Sequence, residues 1–276
     1  MTLEAAPARH TPRKRFGQNF LSAPGIVARI VAAIAPQADD HVVEIGPGLG
    51  ALTQPLLAKL AHLDVVEIDR DLIARLKDDY SAAQLTIHEG DALKFDFAAL
   101  GNKLRIVGNL PYNISTPLLF HLAEYAERIV DMHFMLQKEV VDRMVAQPGG
   151  GEFGRLSVML QYRFEMERLF IVPPGAFVPA PKVDSAIVRM LPKPLESLTV
   201  KEEQTFARIV TAAFGQRRKM LRNTLRELIS EADLEGLGIR PTARAEELAV
   251  GDFVAIANHL TNFRLPGEGR DPVAPL

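Results

Sequence analysis

Short runs of apolar and β-branched residues recur along the first two-thirds of the chain, separated by stretches with helical spacing. The runs predict strands at His41–Ile45, Leu63–Ile68, Leu85–His88, Leu104–Val107, Met132–Leu136, Phe164–Val172 and Ala186–Leu191. Helical spacing between the first five predicts helices at Leu52–Leu60, Leu72–Asp79 and Pro117–Ala126, with a short turn near Phe97–Leu100. Near-continuous apolar strands alternating with helices predict an α/β fold, a mainly parallel sheet wrapped by helices. The last two strands lack a long helix between them and are expected to pair antiparallel at the sheet edge. Pro192-Lys193-Pro194 ends the strand pattern. Beyond it the spacing is wholly helical: Glu202–Phe214, Arg217–Ile229 and a third helix near Asp252–Asn262. The expectation is therefore two domains, residues 1–194 and a small all-helical unit over 195–276, whose Pro- and Gly-rich tail from Leu265 is expected to be disordered.

Composition narrows the function classes. The chain is 47% hydrophobic and 24% charged, which excludes a disordered or low-complexity protein. Its 32 Lys and Arg nearly balance 34 Asp and Glu, so any nucleic-acid footprint must be local. Cysteine is absent, which removes disulfides, thiolate zinc sites and cysteine nucleophiles and fits a cytoplasmic protein. No apolar h-region follows the N-terminus and no run approaches the length of about 18 that a membrane span needs. A soluble protein with no membrane partner is expected.

The first candidate chemistry follows the first strand, at Glu44-Ile45-Gly46-Pro47-Gly48-Leu49-Gly50-Ala51. Glycines there allow a tight turn and close approach of a ligand to a helix N-terminus. Gly46-x-Gly48-x-x-Ala51 also satisfies the dinucleotide fingerprint, so a nicotinamide cofactor remains open. Three acids favour S-adenosylmethionine. Glu44 would repel a pyrophosphate but attract a sulfonium and an α-ammonium. Glu67, closing the next strand, can accept both ribose hydroxyls, although Asp69 and Asp71 compete for that role or cap the following helix. Asp91, in Glu89-Gly90-Asp91, stands where an adenine amine needs an acceptor, or is simply a turn residue.

The fourth strand runs into Gly108-Asn109-Leu110-Pro111-Tyr112-Asn113. In an open α/β sheet this end of the strand faces the ligand crevice. An exocyclic adenine amine is a poor nucleophile because its lone pair is delocalised into the ring. The Asn109 side-chain oxygen and the Leu110 carbonyl could accept its two hydrogens and pull the nitrogen toward tetrahedral geometry. Pro111 fixes the turn, and Tyr112 offers a ring for the base to stack on. Phe177-Val178-Pro179-Ala180-Pro181-Lys182-Val183-Asp184-Ser185 is a second stiffened segment. Its Phe177 either meets the other face of a flipped base or anchors the loop in the core.

These segments resemble the ribosomal RNA adenine dimethyltransferases. The resemblance covers Arg13-Lys14-Arg15-Phe16-Gly17-Gln18-Asn19-Phe20-Leu21, Glu44–Gly50, Glu67-Ile68-Asp69, Gly90-Asp91-Ala92, Asn109–Tyr112, Leu136-Gln137-Lys138-Glu139-Val140, Phe177–Ser185 and Phe214-Gly215-Gln216-Arg217-Arg218-Lys219. It implies a Rossmann-like methyltransferase domain with a seven-stranded sheet. Cofactor contacts are expected at Gln18, Asn19, Leu21, Glu44, Gly46, Gly48, Glu67, Ile68, Asp91, Ala92 and Asn109, and catalytic roles at Asn109, Leu110, Tyr112 and Phe177. The similarity is greatest to the bacterial small-subunit branch. That implies N6,N6-dimethylation of two adjacent adenosines in the 3′-terminal hairpin loop of 16S rRNA, by a monomer acting on the 30S subunit or its precursor late in assembly.

Arg217, Arg218, Lys219, Arg222 and Arg226 face a single acid, Glu227, between Phe214 and Leu228. The i, i+4 spacing of Arg218, Arg222 and Arg226 puts them on one helical face, which either touches phosphates or is merely solvated. Arg13, Lys14 and Arg15 form a second basic cluster that can order onto RNA. The seven histidines show no metal spacing, and no metal is expected. Competing readings are dimethylation of large-subunit rRNA, a non-catalytic RNA-binding assembly or transcription factor on the same fold, and a nicotinamide-dependent dehydrogenase.

Overall fold

The computed structural model describes residues 19–263. A seven-stranded sheet dominates it. In chain order its strands are β2 (His41–Ile45), β3 (Leu63–Glu67), β4 (Leu85–Glu89), β5 (Leu104–Asn109), β6 (Ile129–Gln137), β7 (Phe164–Val172) and β9 (Ser185–Pro192). Spatially they run β4-β3-β2-β5-β6-β9-β7. The first five are mutually parallel, while β9 pairs antiparallel with both β6 and β7. The expected antiparallel pair is therefore present, but β9 slots inside and, of the two, β7 alone lies at an edge. A separate two-stranded ribbon, β1 (Phe20–Leu21) with β8 (Phe177–Val178), lies outside this sheet.

Alternation along the central strands explains the layering. Ile106 and Phe134 face one apolar cluster, and their neighbours Val107 and Met135 face the other. The first cluster is closed by α4 (Ser115–Ala123) and α5 (Lys138–Val145), the second by α1 (Pro24–Ile34), α2 (Thr53–Leu57) and α3 (Arg70–Asp79). Burial on both faces is why these strands read as continuous apolar runs. The strand order reverses between β2 and β5, which opens a crevice at their carboxyl ends.

The remaining helices are α6 (Arg155–Arg163), α7 (Glu203–Phe214), α8 (Leu221–Thr224), α9 (Glu231–Gly236) and α10 (Val250–Phe263). Their cluster joins Phe206, Ile209, Leu225 and Phe253 to Phe153, Val158 and Tyr162, so α6 is shared: its Leu160 points instead into the sheet core. The helix expected over Arg217–Ile229 is not continuous. Met220 is extended and bridges Arg244, and the Leu221 and Arg222 amides donate to the carbonyls of Ala243 and Pro241 at 2.8 and 3.0 Å. Tertiary pairing outcompetes helix propensity here. Among the described residues no helix is long and apolar enough to cross a membrane, and no acid–histidine group is arranged to hold a metal.

Candidate active site

A cavity of about 280 Å³ occupies the crevice. The loop after β2 enters it with Gly46 and Gly48 at φ +66° and +59°, conformations that L side chains rarely adopt. A Cβ at Gly48 would also stand 3.2 Å from the Phe20 ring, which packs over the loop and lines the cavity. Beneath the loop, Glu44 is 2% exposed and accepts a hydrogen bond from Thr53 Oγ1 at 2.7 Å. Burial, with a smaller push from Glu67, raises its pKa to about 7.

Glu67 closes β3 and is also buried. Its Oε1 accepts the Ile68 and Asp69 amides, both at 2.8 Å. Burial raises its pKa, and these amides together with that of Gly48 oppose the rise. The carboxylate is thus held by backbone amides at the mouth of the cavity, where it can meet a diol. Asp69 caps α3 by accepting the Asp71 amide, so this competitor acts as a cap. Asp91 Oδ1 accepts the Leu93 amide at 3.0 Å, which makes Asp91 a turn residue that keeps a second oxygen for a ligand. Ile68, 48% exposed, and buried Ala92 complete this side of the cavity.

The opposite wall comes from β5. At Gly108 a Cβ would lie 2.6 Å from the Ile45 carbonyl, so only glycine lets the two strand ends approach. Asn109 Nδ2 donates to the Asn19 carbonyl at 3.0 Å. A carbonyl can only accept, so that side of the amide must be the NH₂, and Oδ1 is the group left as an acceptor. The Leu110 amide continues the ladder to Met135 at 3.2 Å, and among the described residues no donor reaches its carbonyl. Tyr112 lines the cavity, and its hydroxyl lies 2.7 Å from Ser185 Oγ.

The cavity thus gathers Asn19, Leu21, Glu44, Gly46, Gly48, Glu67, Ile68, Asp91, Ala92, Asn109, Leu110 and Tyr112. Gln18 and the Arg13, Lys14 and Arg15 cluster lie outside the described residues. Phe177 is not at the cavity. It is 3% exposed and packs with Ile187 and Leu21, because its strand pairs with β1 and alternation turns it inward, which fits the core-anchor alternative. The basic stripe also needs correction. Arg217 donates to the Gly151 carbonyl and pairs with Glu246 at 3.3 Å, so it ties two loops together. Arg218, Lys219, Arg222 and Arg226 are exposed, but the break at Met220 prevents a single helical face. Phe20 and Thr53 carry no expected site role; the available signal for Phe20 is its place beside Asn19 in the Gln18–Leu21 segment.

The ribosomal RNA adenine dimethylase family model matches residues 9–262. The chain belongs to that family. It is 68% identical to the ribosomal RNA small subunit methyltransferase A of Aromatoleum aromaticum, over 92% of this chain and 96% of that protein. It is 61% identical to the one of Dechloromonas aromatica, over 91% and 99%. Among solved structures it resembles a dimethyladenosine transferase from Plasmodium falciparum (TM-score 0.76, 26% identity, covering 88% of this chain and 98% of that one). It also resembles the 23S rRNA methyltransferase ErmE (TM-score 0.67, 26% identity, covering 88% and 100%).

Proposed function

We propose that this protein transfers methyl groups from S-adenosylmethionine to the N6 amines of two adjacent adenosines in the 3′-terminal hairpin loop of 16S rRNA, within the 30S subunit or its precursor in the cytoplasm. The observation that carries the chemistry is the pair of acceptors beside Tyr112: Asn109 Oδ1, oriented by the Asn19 carbonyl, and the Leu110 carbonyl, which no donor among the described residues reaches. The cavity's acids fit the cofactor. Glu67 suits a ribose diol, Asp91 an adenine amine, and buried Glu44 a cation.

When bound, the cofactor supplies an electrophilic methyl on a sulfonium. The chain's own residues hold and aim the amine. Two acceptors take its two N–H groups, and the lone pair leaves conjugation with the ring. Tyr112 supports the base, and the turn at Pro111 fixes the distance between acceptors and ring. No side-chain base is required, because methylation makes the remaining N–H acidic enough for water to remove it. After the first transfer one N–H remains, and one acceptor suffices to hold it for the second.

Residues 1–194 then serve as the cofactor-binding domain and 195–276 as the RNA-binding one, with Arg218, Lys219, Arg222 and Arg226 as phosphate contacts and Arg13, Lys14 and Arg15 as a second set. Labelled methyl transfer to unmethylated 30S particles, with the modified nucleosides mapped, tests the proposal. Two neighbouring N6,N6-dimethyladenosines near the 3′ end are expected. Unlabelled 30S particles beside labelled large-subunit rRNA in a parallel reaction, the activity named for the ErmE structure, would refute the choice of substrate.

A further inference from the structure

Tyr112 is anchored at two ends. Its main chain follows the Pro111 turn, and its carbonyl accepts the Ser115 hydroxyl at 3.2 Å. Its phenol oxygen meets Ser185 Oγ at 2.7 Å. Ser185 has no solvent exposure, and its Cα is in register with Gln137 of β6 and Val172 of β7. The hydroxyl therefore belongs to the rigid sheet, whereas Tyr112 sits in the loop between β5 and α4. A ring fixed only at its backbone swings about its first side-chain torsion; one also held at its far end keeps its long axis in one direction.

We infer that Ser185 is a positioning residue, holding the Tyr112 ring as a fixed stacking surface for the target base. This rests on the methyltransferase reading above. It gives the Phe177–Ser185 segment a route to the reaction that Phe177 itself does not provide, since Phe177 faces the core. A serine that merely satisfied a buried phenol would affect stability and leave base stacking alone.

The test combines Ser185→Ala, Tyr112→Phe and the double variant in single-turnover methylation of unmethylated 30S particles. Stacking is read in parallel from the fluorescence of 2-aminopurine placed at the target position. Each single variant should slow transfer by about three- to tenfold, the range of one neutral hydrogen bond. The double variant should be no slower, cofactor affinity should be unchanged, and the 2-aminopurine quench should weaken in Ser185→Ala. A wild-type rate in Ser185→Ala, additive losses, or an undiminished quench would overturn the inference. If Ser185→Ala does not fold, Tyr112→Phe removes the same bond from the other side, and a wild-type rate there overturns it equally. Failure of the unmutated protein to transfer methyl groups would instead remove the underlying functional reading.

Discussion

The most consequential single side chain is Asn109, because a neighbouring carbonyl decides which end of its amide faces the substrate. Asn109→Ala removes one of two acceptors and leaves the Leu110 carbonyl. Loss of one preorganised transition-state hydrogen bond costs about 10²–10³ in rate. Single-turnover transfer at saturating cofactor and RNA should fall by that order, with RNA affinity nearly unchanged. A rate close to wild type would remove Asn109 from the chemistry. Glu44 makes a pH prediction at the same scale. With its pKa near 7, a cationic ligand favours the carboxylate, so cofactor binding near neutral pH should release protons. Affinity should weaken by about tenfold from pH 7.5 to 6, as roughly nine-tenths of Glu44 becomes protonated. Glu44→Gln should bind more weakly and lose both the slope and the proton release in calorimetry run in buffers of different ionisation enthalpy. A slope retained in the variant would assign it to another group.

At the scale of elements, legibility followed periodicity. The buried strands stood out because burial on both faces makes them continuous apolar runs, and β7 matches its expected ends at Phe164 and Val172. α1 was missed because it has no side-chain N-cap and no charged residue in its first turn; Pro24 at its start and the Ile26, Ile30, Ile34 spacing were the available signals. β1 and β8 are two residues each, too short for any periodicity, yet their pairing decides that Phe20 faces the cavity and Phe177 the core. Most of the acids and glycines of the site were legible because they close strands; Thr53 and Ser185 were not, because a buried hydroxyl's role depends on its spatial partner. The interrupted helix around Met220 divides the basic residues by task. Arg217→Ala should lower stability through the lost Gly151 and Glu246 contacts and leave the salt dependence of RNA binding unchanged. Replacing Arg218, Lys219 and Arg222 by alanine together should reduce the log–log salt slope by roughly 2–3, at about 0.7–0.9 per phosphate contact. The reverse pattern would place Arg217 on the RNA.

Over the whole molecule, two buried groups at different places in the fold set opposing pH dependences of stability. His133, on β6, is 3% exposed, and among the described residues neither ring nitrogen has a hydrogen-bond partner. Burial lowers its pKa from 6.5 to about 4; Asp131 opposes this, while Arg105 and Arg189 add to it. Its folded form stays neutral where the unfolded chain is protonated. Its contribution is therefore complete above pH 6.5 and is lost as pH falls toward 4. Glu44 behaves oppositely: raised from 4.5 to about 7, it contributes fully below pH 4.5 and loses that contribution as pH rises through 7. Each shift corresponds to roughly 3 kcal/mol, at about 1.4 kcal/mol per pH unit. Between pH 4.5 and 6.5 the two slopes cancel, so these groups leave the cofactor-free protein's stability nearly flat there. Glu44→Gln should unmask His133 and make urea-derived stability rise with pH across this window by about 1.4 kcal/mol per unit relative to wild type. His133→Leu should unmask Glu44 and give the opposite slope. Saturating cofactor, by favouring the Glu44 carboxylate, should tilt the wild-type curve in the same direction as Glu44→Gln. Parallel curves for wild type and both variants would show that neither group changes its proton affinity on folding.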